Sequence, residues 1–123
     1  MIKNLFLSIL RFLGFPPKNS QPTRQRIAQY SLESFDSRSA AREAAQQDGI
    51  AALVGGADKH KWLILKCPCG CGQEIALNLM GSHLPRWQVD VKSARRFSVH
   101  PSVDATSCGA HFWLRNGQVN WCE

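Results

Sequence analysis

The residues of this 123-residue chain whose types and spacing could do chemistry are five cysteines, two serines and two histidines, all in its second half. Cys67, Cys69 and Cys71 alternate within the run Lys66-Cys67-Pro68-Cys69-Gly70-Cys71-Gly72. Thiols that close do not easily bridge one another, and an odd total fits poorly with a purely internal disulfide framework. Thiolates packed so densely usually share a metal. In an extended strand the three would face one side, and a tight Pro/Gly turn would bring them onto one ion. A structural zinc takes four ligands. The remaining candidates are Cys108, His111 and Cys122, with Cys108 and His111 separated by two residues, an ordinary ligand spacing. The preferred set is Cys67, Cys69, Cys71 and Cys108. A set with Cys122 in place of one clustered cysteine is the alternative, and buried free thiols are the bland one. An all-thiolate shell leaves no open position for water, so the Zn2+ would be structural. Five reduced thiols also point to the cytoplasm.

Hydrolysis needs a nucleophile, a base to take its proton and donors for the oxyanion. Ser102 stands between Pro101 and Val103 at the end of an alternating run, and His111 follows nine residues later. If the chain turns back between them, the two side chains meet across adjacent strands. Asp104 is the nearest acid to orient the imidazole, with Asp90 and Glu74 as others. Backbone amides near Cys108 and Gly109 are the candidate oxyanion donors. Ser107 is the rival nucleophile and His100 the rival base, while His60 and His83 look like loop residues. Taken by themselves, Ser102 is an ordinary turn residue and His111 a metal ligand or structural donor.

These residues need elements to hold them. Trp62–Lys66 is a compact apolar run. Gln73–Leu79, Trp87–Val91 and Phe97–Val103 alternate, and Phe112–Arg115 and Val119–Trp121 flank Asn116-Gly117, a strong hairpin signal. The spacing predicts a small antiparallel β domain over 58–123, too thin to be secure without a metal staple. Trp62, Trp87, Trp113 and Trp121 are read as core. Residues 1–57 read as a helical extension and linker. Ile2, Leu5, Phe6, Ile9, Leu10 and Leu13 form the stripe of an amphipathic helix, which would pack on its own domain, dock a partner or lie on a membrane through residues 1–15. Arg11 interrupts the apolar run and no cleavage site follows, which argues against a secretory signal, and the run is too short to span a bilayer. Residues 16–26 read as a linker. A second helix is expected within 37–54, capped by Asp36 or Ser37 and ended or interrupted by Gly49. The fold class is therefore mostly β, with a helical N-terminal extension.

Composition narrows the function. At this length the chain holds one domain, which excludes the large catalytic barrels and complete dinucleotide folds. The net charge of +6 is shared evenly, +3 in residues 1–60 and +3 in 61–123, so there is no basic tail. Lys61, Lys66, Arg86, Lys92, Arg95, Arg96 and Arg115 among aromatics could form a single-stranded nucleic-acid surface, but such a charge is ordinary for solvated strands.

Four segments together carry a resemblance: Cys67-Pro68-Cys69-Gly70-Cys71-Gly72, Pro101-Ser102-Val103, Cys108-Gly109-Ala110-His111-Phe112-Trp113-Leu114-Arg115, and Gly117 with Trp121-Cys122. In that order they resemble the DUF6527 family, bacterial proteins encoded beside ubiquitin-like proteins and their activating and conjugating enzymes. The resemblance covers 61–123. It implies a zinc-stapled β domain and a peptidase that processes a ubiquitin-like protein or removes it from targets, with Ser102 and His111 as the catalytic pair. The implied partners are that ubiquitin-like protein and the enzymes that activate and conjugate it. Many relatives have Ser where this chain has Ala110, and some end in Trp-Ala where it has Trp121-Cys122. The second departure favours the clustered thiols with Cys108 as the metal set. A non-catalytic adaptor of a conjugation complex is the competing class.

Overall fold

A computed structural model describes residues 26–55, 59–105 and 107–122. The apolar stripe from Ile2 to Leu13 and the linker up to residue 25 lie outside the described residues. The described chain runs β1 (Ser31–Phe35), α1 (Arg38–Ala44), β2 (Ile50–Val54), β3 (Trp62–Lys66), β4 (Glu74–Asn78), β5 (Gln88–Ser93), β6 (Arg96–Ala105), β7 (Ala110–Arg115) and β8 (Gln118–Trp121). It is mostly β, in two four-stranded sheets ordered β1-β2-β3-β4 and β5-β6-β7-β8. Every pairing is antiparallel except β1 with β2.

Period-2 alternation makes the layers. Leu63 and Leu65 of β3, Leu77 of β4, Phe97, Val99 and Val103 of β6, and Phe112 and Leu114 of β7 point into one core between the sheets. Ala52, Val54 and Ile64 point the other way, onto Ala41 and Ala45 of the α1 segment. The first sheet is thus covered on both faces, which is why its central strands read as unbroken apolar runs. The second sheet keeps an open outer face carrying His100, Ser102, Asp104, His111 and Arg115.

The segment from 37 to 54 differs from the expected helix. Ser37 does cap α1, accepting the Ala40 N–H at 3.2 Å. The helix ends at Ala44, Gly49 turns at φ 85°, and Ile50–Val54 becomes a strand. Ala and Leu favour helices in isolation, but β2 is claimed by pairing with β1 and β3 and by burial on both faces.

Described residues on the two sides of the expected boundary at 57 share one core. Leu53 of β2 sits opposite Leu63 of β3, and Ile27, Tyr30, Leu32, Ala51 and Leu53 belong to the same core as the later strands. The stretch before β1 and the start of β1 tie the sheets together. Tyr30 N–H donates to Gly117 O and Leu32 N–H to Ala94 O, each at 2.8 Å, and Val119 N–H donates to Ala28 O at 2.9 Å. The Asn116-Gly117 hairpin forms as expected, with both residues at positive φ, 51° and 74°. A Cβ at Gly117 would lie 2.6 Å from Arg95 O and 3.0 Å from Tyr30 O, so the tie admits only glycine there.

Candidate functional site

Four thiols meet at one end of the sandwich. The Sγ atoms of Cys67, Cys69, Cys71 and Cys108 all lie within 4.8 Å of one another. Cys67 to Cys69, Cys67 to Cys108 and Cys69 to Cys108 are 3.4, 3.5 and 3.6 Å. A tetrahedral ion with bonds of about 2.3 Å to sulfur places its ligands about 3.8 Å apart, so this donor set fits one. Local sequence builds the cradle. Cys67 N–H donates to Gln73 O at 2.8 Å, Gly70 N–H returns to Cys67 O at 3.2 Å, and Gly70 and Gly72 take positive φ. Outside the cradle, Ile27 N–H donates to Pro68 O at 2.8 Å and the Tyr30 hydroxyl donates to Lys66 O.

Burial pushes the Cys67 and Cys69 thiols up. For Cys71 burial also raises, but the hydrogen bond at Gln73 and those of the neighbouring thiols outweigh it and leave it lowered. A cation is what makes such a group of sulfurs stable as thiolates. Neither His111 nor Cys122 joins the cluster. Cys122 is half-buried, and its N–H donates to His111 O at 2.9 Å, so it flanks the other candidate site.

The cluster governs the β6–β7 turn. Cys108 N–H and Gly109 N–H both donate to Ala105 O, at 3.2 and 2.8 Å. Those two amides are the expected oxyanion donors, and here they close the turn instead. Ser107 is held away as well, donating its hydroxyl to Gln73 Oε1 at 3.1 Å.

Past that turn β7 brings His111 back to β6. Ser102 Oγ lies 2.9 Å from His111 Nε2. The meeting depends on an irregularity. Val99 pairs with Leu114 and Val103 with Phe112, so four steps along β6 answer two along β7. The excess holds His100, Pro101 and Ser102, with a cis peptide before Pro101. Proline lacks the N–H that a regular ladder needs, and bulges re-aim side chains.

The other candidates separate cleanly. Asp104 is directly opposite His111 in the register, on the same outer face. Among the described residues no hydrogen bond joins the two. Asp90 pairs with Ser98 on the far side of β6, and Glu74 is in an ion pair with Arg42 at 3.2 Å on the other sheet. His100 packs edge-on to Trp113 at 6.3 Å, and His83 Nδ1 is 3.0 Å from Ser82 Oγ in the β4–β5 loop. His60 lies just before β3.

Beside the pair lies a depression of about 400 Å³ lined by Arg86, Trp87, Gln88, His100, Pro101 and Trp113. Trp87 is the residue that sequence reasoning undervalued. Its alternation with Val89 marks it as core, and it is half-buried there, but its indole N–H also donates to Ser102 O at 3.2 Å. Several described basic residues are already engaged. Lys66 pairs with Asp48 at 3.0 Å, and Arg38 and Arg115 lie over Trp62 and Trp113 on different sheets.

No curated protein and no solved structure matches the chain. One family profile does match, described as bacterial ubiquitination-like system serine protease, BubE, over residues 37–122. That description is BubE's and not DUF6527's, and it names the pathway and activity class that the four segments led us to expect. The matched stretch includes the four clustered cysteines, Ser102 and His111, and it takes in most of the chain: the protein belongs to the BubE family of bacterial ubiquitination-like system serine proteases.

Proposed function

We propose that this chain is a peptidase that processes the C-terminus of a ubiquitin-like protein or releases it from its targets, with Ser102 as nucleophile and His111 as general base. The observation that carries this reading is the 2.9 Å approach of Ser102 Oγ to His111 Nε2 on an open sheet face, in a chain of a serine-protease family. Ser102 Oγ attacks the scissile carbonyl as His111 Nε2 takes its proton. The imidazolium then gives that proton to the leaving nitrogen as the C–N bond breaks, leaving an ester on Ser102. Water attacks the ester with His111 again as base, and the proton returns to Ser102 Oγ. The chain of the substrate before the cut lies in the depression between Trp87 and Trp113.

Zinc suits the four-thiolate donor set and supplies a rigid structural anchor when bound. Cys108 then fixes the turn, and the turn sets His111 against Ser102. The test is incubation with the ubiquitin-like protein of the same system, followed by intact mass. Wild type should shorten the substrate, and Ser102→Ala should leave it intact with the same bound metal. Full cleavage by Ser102→Ala overturns the assignment.

A further inference from the structure

We propose that the β4–β5 loop is a second contact point for the protein substrate, where Leu84 inserts into an apolar hollow on the substrate's folded body. The inference rests on the reading of Ser102 as nucleophile. Leu84 is 88% exposed, and the one other exposed large hydrophobic among the described residues, Val91, is only 42% exposed. Leu84 sits on a loop that is built rather than loose. Asn78, itself 8% exposed, sends its amide to the carbonyls of Met80, His83 and Pro85 at 3.3, 3.1 and 3.1 Å. Its Oδ1 accepts the Met80 N–H at 3.0 Å, and Trp87 N–H donates to Asn78 O at 2.8 Å. A loop ordered in advance loses little entropy when it binds.

Leu84 also walls a groove of about 380 Å³, together with Trp62, Met80, Pro85 and Trp87. Trp87 is the link to the chemistry, because it also walls the depression beside Ser102 and holds the Ser102 carbonyl. The two concavities therefore share one indole as a wall. A substrate whose tail occupies the first brings its globular body to the second. The shape indicates a protein rather than a small molecule. A small ligand is enclosed by apolar walls, whereas a leucine that projects into water needs a complementary surface large enough to bury it.

The test compares wild type, Leu84→Asp and Leu84→Met on the ubiquitin-like protein, on a short peptide of its C-terminal residues, and with a small serine-directed probe. Loss of one buried leucine contact predicts at least a tenfold rise in KM for the protein substrate in Leu84→Asp. Its kcat should stay within about twofold, with peptide cleavage and probe labelling unchanged, and Leu84→Met should behave as wild type. An unchanged KM in Leu84→Asp overturns this contact and leaves Ser102 standing. A Leu84→Asp protein that also loses peptide cleavage or labelling overturns it too, since the residue would then act on the catalytic site. Wild type that neither takes the probe nor cuts removes both readings together.

Discussion

Among the described residues, Ser102 Oγ and His111 Nε2 are joined by a hydrogen bond that no acid extends. Asp104 is across the ladder from His111, with Cβ atoms of such partners about 5 Å apart, yet its carboxylate makes no hydrogen bond to the ring. On the proposed mechanism the base therefore carries more of the chemistry than the acid. His111→Ala should lower kcat by about 10² to 10⁴-fold, the usual range for a lost proton acceptor. Asp104→Asn should cost less than tenfold, and a loss as large as that of His111→Ala would make Asp104 a true orienting acid. A second residue-scale effect concerns Tyr30, the chain's only tyrosine. Burial first, then the neighbouring charges of Cys67 and Asp48, push its hydroxyl well above the ordinary value of about 10. The fold holds that proton more tightly than the unfolded chain does. Its contribution is therefore complete below pH about 10 and declines as pH rises beyond that. Tyrosinate absorbance should not appear at pH 10–11 in the native protein and should appear together with unfolding. Tyr30→Phe should cost about 1–3 kcal/mol at neutral pH, because the Lys66 carbonyl loses its donor. A native protein with a normal tyrosinate titration would show that the hydroxyl is not held this way.

Elements, not residues, decide whether the pair meets. The β6–β7 turn is fixed at Cys108, and β7 starts at Ala110, one residue before His111. Cys108→Ser should lower metal content below one ion per chain and reduce cleavage by at least tenfold, although Cys108 touches neither Ser102 nor His111 in any hydrogen bond among the described residues. Cys122→Ser should keep one ion, since its thiol stands outside the cluster. Equal metal content in Cys108→Ser and wild type, read by elemental analysis, would remove Cys108 from the set. Acidification should release the ion, because protons compete for the thiolates. The sequence made much of this legible. The apolar run at Trp62–Lys66 and the alternation after it mark β3 through β8 to within two residues at each end, because β3 is buried on both faces and the later strands turn one face to the core. The cysteine grouping was legible for the same reason, since a turn of Pro and Gly leaves thiols few other directions. What stayed hidden depends on tertiary partners. β1, Ser31–Phe35, has a mixed polar pattern and becomes a strand by pairing in parallel with β2. β2 continues the Ala-rich composition of α1 beyond Gly49 and becomes a strand only by pairing with β1 and β3. The amides of Cys108 and Gly109 looked free because the sequence does not show that Ala105 O will take both.

At the scale of the whole molecule, the family match begins at residue 37, but the folded unit reaches back to at least residue 27. Ile27, Tyr30 and Leu32 fill the core between the sheets, and the backbone from 27 to 32 donates to Pro68, Gly117, Gly49 and Ala94. The same segment thus braces the cysteine turn at Pro68 and the second sheet at Gly117. A fragment of 58–123 would lose all of this together with β2. Burying a leucine-sized side chain is worth about 1.5–3 kcal/mol, and Tyr30, Leu32 and Leu53 are three such groups. Against a total stability of about 5–15 kcal/mol, their removal with Ile27 and Ala51 leaves little or nothing. The β3 edge would also be stripped of its partner and left open to pairing with other chains. We therefore expect a 26–123 fragment to melt cooperatively and to hold one metal ion. A 37–123 fragment should melt well below it, and a 58–123 fragment should show no cooperative transition even with metal supplied. Circular dichroism melts of the three at equal metal concentration decide the matter. A cooperative transition with one bound ion in 58–123 would mean that the metal and the last six strands suffice, and that the bracing by residues 27–54 is an addition to a complete domain.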